Sequence, residues 1–138
     1  MGQIDLASAT LPASTQEKYI DILTRRYIFD KGLNFAHGTG HGIGSYLKVH
    51  EGPTYLGMRD RDYPSKLKPN MFFSDEPGYY KSGEFGIRLE SILRVVPMEK
   101  SNENNALQRV SQLSCMYSYM RIFYSQNSPL LPHMESNA

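Results

Sequence analysis

Residues 37–50 contain three of the four histidines of this chain, and glycines alternate with other residues through the first half of the segment. His37 and His41 are four residues apart, a spacing that would place both on one face of a helix. The glycines around them argue against a helix, because glycine is among the least favourable helix residues. We therefore predict an extended strand over 37–41, in which residues four apart also share a face and glycine lets the backbone approach a ligand or metal.

Two carboxylates further along the chain fall into register in a predicted hairpin. Residues 72–76 and 87–96 have strand composition, and turn residues around Gly83 separate them. A hairpin centred on Gly83 places Glu76 directly opposite Glu90. Opposed side chains in an antiparallel pair have Cβ atoms roughly 4.5–5.5 Å apart, where like charges are destabilising unless a cation lies between them. Imidazole together with carboxylate suits Zn, Mn, Fe or Co, so these residues predict a divalent metal site.

Simpler interpretations apply to each of these residues taken alone. A single histidine beside apolar residues is more often a hydrogen-bonded core residue than a metal ligand. We interpret Tyr79 and Tyr80 as packing residues. Arg88 is either a surface charge or a residue that orients a ligand carboxylate. The glycines stand at even offsets, which excludes the GxGxxG pattern of a nucleotide-binding loop.

Composition narrows the class of protein. The 138 residues include 15 basic and 14 acidic side chains, so charge gives no reason to expect nucleic acid or an anionic membrane as a partner. The single cysteine, Cys115, excludes an intramolecular disulfide and fits a reducing compartment. No signal peptide or membrane span is predicted from the sequence. We therefore expect a cytoplasmic protein.

Periodicity predicts two helices before the strands that contain the site. The first is a short helix over 3–10. The second follows a capping-box pattern at 14–17 and runs to about Asp30, with Gly32 as its C-cap. Strands and turns are predicted to occupy 35–97.

The tail, 98–138, differs in composition from the rest of the chain. It is rich in Asn, Ser and Pro, and we expect it to be loosely packed or disordered. Apolar residues within 107–124 nevertheless follow helical spacing, which indicates a possible amphipathic helix there.

The wording of the motifs matches a known family. HGTGHGIGSYLKVHEGP, SDEPGYY and GIRLES resemble the aminopeptidase P (Xaa-Pro aminopeptidase) group of pita-bread metallopeptidases, and the cytosolic eukaryotic type most closely. The resemblance covers residues 3–97 and is absent after them. It implies that 1–97 form part of an α+β catalytic domain, the second half of a pita-bread fold with an antiparallel sheet and helices on one face. Residues 98–138 would then be a divergent tail.

The resemblance implies a set of metal ligands. His41, Glu76 and Glu90 correspond to ligands, with Glu90 as the bridge between two ions. The family site uses divalent metals, which implies two Mn ions here, with Zn or Co as alternatives. Two further aspartate ligands of the family belong to a DGT…D-type segment upstream of residue 1, and this chain has no counterpart for them.

The resemblance also implies a reaction and its catalytic residues. The family hydrolyses the bond after the N-terminal residue of peptides with proline in second position. Glu76 would pass a proton to the leaving imino nitrogen, and His37 and His50 would hold the substrate and stabilise the tetrahedral intermediate. Arg88 corresponds to the arginine that supports a ligand carboxylate. Lys48 departs from the family pattern, because it stands where asparagine is expected.

The activity of the isolated chain and the exact type of peptidase remain open. Without the two aspartates, we expect the isolated chain to be catalytically incomplete. The chain could instead be a non-catalytic, truncated homologue that acts as an interaction protein. Prolidase and methionine aminopeptidase are the related peptidases to consider, although the HGTGHGIG and VHEGP motifs favour aminopeptidase P, whose members are often homodimeric.

Overall fold

The computed structural model describes residues 1–13, 15–46, 48–59, 62 and 66–98, together with the backbone of two strands further on. Two helices and eight strands lie in this part of the chain. The helices are α1 (Gly2–Ala7) and α2 (Glu17–Phe29). The strands are β1 (Thr10–Pro12), β2 (Gly40–His41), β3 (Tyr55–Leu56), β4 (Phe72–Asp75), β5 (Gly78–Lys81), β6 (Phe85–Pro97), β7 (Leu107–Gln112) and β8 (Tyr119–Tyr124).

Both predicted helices are present, but the start of the second differs from the prediction. Helix α2 begins after Gln16, which makes no side-chain capping hydrogen bond, and Ser14 of the predicted capping box lies outside the described residues. The helix ends as predicted at Gly32, which has φ +66. The Gly32 amide donates to the carbonyl of Phe29, and the Leu33 amide donates to that of Ile28. This pair of hydrogen bonds is the Schellman motif, for which glycine is the favoured residue. Neither helix in the described residues has the length and apolar character that crossing a bilayer requires.

The long strand β6 organises the main antiparallel sheet. Its first half pairs with β5 on one edge and β8 on the other. Its second half pairs in the same way with β4 and β7, and β1 extends the sheet beyond β7. Strands β2 and β3 form a separate two-stranded sheet.

The two halves of the β4–β6 hairpin keep one continuous register. Tyr80 pairs with Gly86 near the turn, and Asp75 pairs with Ser91 further away. Both pairs are centred on Gly83, so the predicted register is confirmed. Between the two paired blocks, the same register places Glu76 opposite Glu90.

The apolar core lies between the helices and one face of the sheet. Its fully buried members come from both helices, from β3, β4 and β6, and from the segment before β4. They are Leu6, Ile20, Leu56, Leu67, Phe73, Leu93 and Val95. Because side chains alternate along a strand, the even-numbered residues of β4 and β6 project from the opposite face. Glu90, and Glu76 directly after β4, continue this second set, so both candidate ligands lie on the face opposite the apolar core.

The helix considered for 107–124 is wrong for the residues that the structure describes. Residues 107–112 and 119–124 are strands that pair with β6, whereas 113–118 lie outside the described residues. Short apolar segments are ambiguous between helix and strand. Strand β6 is thirteen residues long, and the unpaired N–H and C=O groups along its edges can form hydrogen bonds with further strands. The looser packing expected of 98–138 remains a prediction.

Candidate metal centre

His41 and Glu76 form the closest pair in the candidate site. His41 ends strand β2 and Glu76 directly follows β4, and His41 Nε2 lies 3.2 Å from Glu76 Oε1. The Ser74 hydroxyl connects them, because it accepts from the His41 amide at 3.0 Å and donates to Glu76 Oε1 at 3.0 Å. Gly40 permits this approach, since a Cβ there would lie 1.8 Å from the Ser74 carbonyl oxygen. The strand predicted over 37–41 is shorter in the structure, where only Gly40 and His41 form β2.

Glu90 faces the same site from strand β6. It lies opposite Glu76 in the hairpin register and projects from the same face of the sheet. The pKa of His41 is raised chiefly by its hydrogen bond with Glu76, and the charge of Glu90 adds to this. Burial lowers the pKa of Arg88, but the hydrogen bond with Tyr80 and the nearby negative charges, Glu90 among them, raise it overall. The hairpin thus directs two carboxylates toward the region where the His41 imidazole lies.

The geometry of the closest pair fits ligation of one ion. Two ligand atoms bonded at about 2.0–2.2 Å to a tetrahedral ion lie roughly 3.3–3.6 Å apart. The observed 3.2 Å between His41 Nε2 and Glu76 Oε1 is close to that separation. Among the residues that the structure describes, no group of three or more His, Cys, Asp or Glu side chains is arranged to hold a metal ion. The described residues therefore offer a fitting donor pair with a second carboxylate, Glu90, opposite in the hairpin register, and not a complete ligand shell.

Arg88 and Tyr80 connect Glu76 to the other histidine of the HGTGH motif. Arg88 donates from Nη1 to Glu76 Oε2 at 3.1 Å and from Nε to the Tyr80 hydroxyl at 2.8 Å. The Tyr80 oxygen lies 2.7 Å from His37 Nε2, and His37 Nδ1 lies 2.7 Å from the Gly38 carbonyl. Because a carbonyl only accepts, His37 Nδ1 bears the proton, and Tyr80 donates to Nε2 of the neutral ring. These contacts form one continuous chain from His37 to Glu76.

His50 approaches the site from a loop. It is exposed, and its ring centroid lies 4.0 Å from that of His41. The loop is closed at its base by Gly42, whose amide donates to the Thr54 carbonyl and whose carbonyl accepts from the Glu51 amide. The exposed Lys48 lies on the same loop, and its carbonyl accepts from Gly44.

The local charges set different protonation preferences for the two histidines. The hydrogen bond with Glu76 raises the pKa of His41, although burial opposes it. Burial lowers the pKa of His37, and the positive charge of Arg88 lowers it further, against the hydrogen bond to the Gly38 carbonyl. Burial alone would raise the pKa of Glu76, but hydrogen bonds from His41 and Ser74 and the nearby charges bring it below its usual value. Glu76 is therefore an ionised carboxylate at neutral pH.

Asp75 lies beside this site but points toward the helices. It is fully buried, and Thr24 donates to its Oδ1 at 3.3 Å. Its Oδ2 is the one buried side-chain polar atom in the described part of the chain that has no hydrogen-bond partner. Burial raises the Asp75 pKa to about 8, and the charges of Asp21 and Glu76 act in the same direction. Asp75 is therefore protonated at neutral pH in the folded chain.

The sequence interpretation missed two contributors to the site. Tyr79 packs edge to face against Phe85, as expected of a packing residue, but Tyr80 bonds both His37 and Arg88. Its even position on the hairpin, four residues after Glu76, was the available signal. Ser74 was missed for a different reason, because its hydroxyl contacts depend on how closely Gly40 approaches β4.

The sequence is similar to that of known metallopeptidases. Residues 2–97 match the sequence profile described as metallopeptidase family M24. A probable Xaa-Pro aminopeptidase P from Tuber melanosporum is 46% identical over 101 residues, which are 73% of this chain and 16% of that protein. The chain thus spans about a sixth of the length of this relative.

Two solved structures resemble the described fold. An X-prolyl aminopeptidase from Caenorhabditis elegans, described as a cytosolic enzyme with a di-nuclear active site, aligns with TM-score 0.70 and 35% identity over 80% of this chain and 18% of its own. A prolidase from Thermococcus sibiricus aligns with TM-score 0.59 and 27% identity over 80% of this chain and 26% of its own. The predicted α+β pita-bread class is confirmed.

Proposed function

Since the chain belongs to metallopeptidase family M24, we propose that its site is part of an Xaa-Pro aminopeptidase centre, which removes the N-terminal residue from peptides with proline second. The observation that supports this most directly is the His41–Glu76 pair at 3.2 Å, with Glu90 opposite in register. The comparison with Xaa-Pro aminopeptidases at 46% and 35% identity supports the same substrate class.

We assign the ligand role to His41, Glu76 and Glu90, with Mn as the preferred ion and Zn or Co as alternatives. When bound, such an ion would polarise the scissile carbonyl and lower the pKa of water at the site. The two Glu76 oxygens have different partners, because Oε1 faces His41 and Ser74 whereas Oε2 accepts from Arg88. This arrangement holds an ionised carboxylate in one orientation, from which it can receive a proton and pass it to the leaving imino nitrogen.

His37 and His50 would hold the peptide on either side of this pair. Neutral His37 is oriented by Gly38 and Tyr80, and Arg88 fixes the Tyr80 hydroxyl in turn. His50, beside the His41 ring, lies on an exposed loop that a substrate can reach. We further propose a cytoplasmic location and assembly as a homodimer, in keeping with the cytosolic relative and the family resemblance.

A second candidate is a non-catalytic homologue. It is favoured by the observation that no three-ligand group occurs among the described residues. A catalytic zinc site normally has three protein ligands and a water. We therefore expect the isolated chain to bind a metal weakly and to be inactive on its own. Prolidase-type activity is the other alternative, supported by the structural similarity to a prolidase.

Metal and peptide titrations test this proposal in two stages. Isothermal titration with Mn²⁺ should show binding to the chain and to a His37→Ala variant, but not to His41→Ala. The Mn-loaded chain should then bind an Arg-Pro-Pro peptide more tightly than a peptide with alanine in place of proline, and His37→Ala should weaken that binding.

Two outcomes would contradict these expectations. Equal Mn²⁺ binding by the chain and by His41→Ala would overturn the metal site. Metal-dependent release of arginine by the isolated chain, lost in His41→Ala, would overturn the expectation of an incomplete catalyst and exclude the non-catalytic alternative.

A further inference from the structure

A buried ion pair on helix α2 lies behind the histidine segment. Arg25 and Asp21 are one helical turn apart, and both are almost completely buried. Buried ion pairs are weak contributors to stability, because removing two charges from water offsets most of their attraction. A stabilising role alone therefore does not explain why this helix places two charges in the protein interior.

The Arg25 guanidinium donates hydrogen bonds to the segment that contains His37. Nη1 donates to the Asn34 side chain at 2.8 Å and to the Phe35 carbonyl at 2.7 Å, and Nη2 donates to the His37 carbonyl at 2.7 Å. The guanidinium also lies over the Phe35 ring, 3.8 Å from its centroid. The planar fork of arginine can span these acceptors, whereas the single ammonium of lysine cannot.

Asp21 extends the same contacts toward Glu76. One of its oxygens pairs with Arg25 Nε, and the other accepts from the Thr39 hydroxyl. The Thr39 carbonyl in turn accepts from the Glu76 amide at 2.7 Å. The ion pair therefore contacts the segment at two points, one at His37 and one at the residue that anchors the Glu76 backbone.

We propose that Arg25 and Asp21 are positioning residues for the site, which hold residues 34–39 at a fixed distance from α2 and thereby place His37 on Tyr80 and Thr39 on Glu76. The Phe35 ring transmits part of this constraint, since it lies against both the guanidinium and the His37 ring, 4.8 Å from the latter. That these contacts serve catalysis rests on the proposed function, whereas the contacts of Arg25 and Asp21 with residues 34–39 do not.

Nuclear magnetic resonance of the full isotope-labelled chain tests the proposal without metal or substrate. The readouts are the His37 imidazole resonances, assigned with His37→Gln, and amide exchange at Glu76. The Val95 amide, which donates to the Met71 carbonyl within the core sheet, reports global unfolding. Arg25→Lys should displace the His37 resonances and accelerate Glu76 exchange about ten-fold relative to Val95, as loss of roughly 1.4 kcal/mol from one hydrogen bond would.

Two control variants separate positioning from stability. Arg26→Lys changes the adjacent, exposed arginine of the same helix and should leave both readouts unchanged. Ile20→Ala removes a buried apolar side chain from α2 and should accelerate Glu76 and Val95 exchange equally, with His37 resonances in place. If Arg25→Lys does not fold, the exposed Asn34 gives a milder test, because Asn34→Ala removes one Nη1 acceptor and should still displace the His37 resonances.

Specific results would overturn the proposal. These are unmoved His37 resonances in folded Arg25→Lys, unmoved resonances in Asn34→Ala where Arg25→Lys does not fold, or equal acceleration of Glu76 and Val95 exchange in Arg25→Lys. Failure of the proposed function would look different. The chain would not bind Mn²⁺ or the proline peptide, whereas the His37 and Glu76 responses to Arg25→Lys would persist.

Discussion

Replacing Asp75 with asparagine should make the folded chain more resistant to rising pH. The folded-state pKa of about 8 lies above the ordinary value of 3.8, so unfolding at intermediate pH releases a proton from this carboxyl. The sign follows from linkage. The unfolded state binds fewer protons than the folded state, and the free energy of unfolding therefore falls as pH rises through this window. A single group contributes about 1.4 kcal/mol per pH unit to that fall.

The asparagine variant removes the pH-dependent contribution of Asp75 to the free energy of unfolding and changes little else. Its side chain has the same shape, its carbonyl oxygen can accept the Thr24 hydroxyl that Asp75 Oδ1 accepts, and its amide replaces an oxygen that already lacks a partner. Other titrating groups cancel when the two proteins are compared at each pH. Between pH 5 and pH 7, the unfolding free energy of Asp75→Asn should therefore gain about 2.7 kcal/mol relative to the unmodified chain.

Urea unfolding followed by circular dichroism at pH 5, 6 and 7 measures this difference. Glu84→Gln is the matched control, because the Glu84 side chain forms an exposed ion pair with Lys81, and its difference from the unmodified chain should stay within about 0.5 kcal/mol at each pH. A constant difference between Asp75→Asn and the unmodified chain across this range would refute the reasoning, since it would mean that Asp75 is already ionised in the fold.

Three further perturbations have defined outcomes. Gly40→Ala should destabilise the chain by roughly 1–3 kcal/mol in urea unfolding, because its methyl group meets a β4 carbonyl, whereas Gly52→Ala meets nothing and should be nearly neutral. Tyr80→Phe should move the His37 imidazole nitrogen resonances and lower the unfolding free energy by roughly 0.5–1.5 kcal/mol; unmoved resonances would contradict the hydrogen bond. Because the pKa of His41 is raised, Mn²⁺ binding should release a proton and weaken as pH falls, and calorimetry in buffers of different ionisation enthalpy would show no proton release if this is wrong.

The sequence predicted the parts of the site that depend on local geometry. The register of a hairpin follows from its turn, so Gly83 alone was sufficient to place Glu76 opposite Glu90. The end of α2 at Gly32 was predictable for the same reason. Tyr80 could have been found by extending the even-numbered face toward the turn.

Features that depend on distant partners were not predictable in this way. Asp21 and Arg25 look like an ordinary surface pair on a helix, and only the packing of 34–39 against α2 buries them. Strands β7 and β8 could not be predicted locally for the same reason. Their pairing depends on the unpaired edges of β6, which no local pattern near residues 107–124 reveals.

The single strand β6 ties the chemistry of this protein to its interior. Arg88 and Glu90 project from one face, while Leu93 and Val95 fill the core on the other. A one-residue insertion within β6 would exchange the faces of every residue beyond it. Evolution or design can therefore vary the turn before β6, but any change of length within the strand must compromise the core or the site. Length variation in related chains should accordingly fall at 82–84 and avoid 86–95.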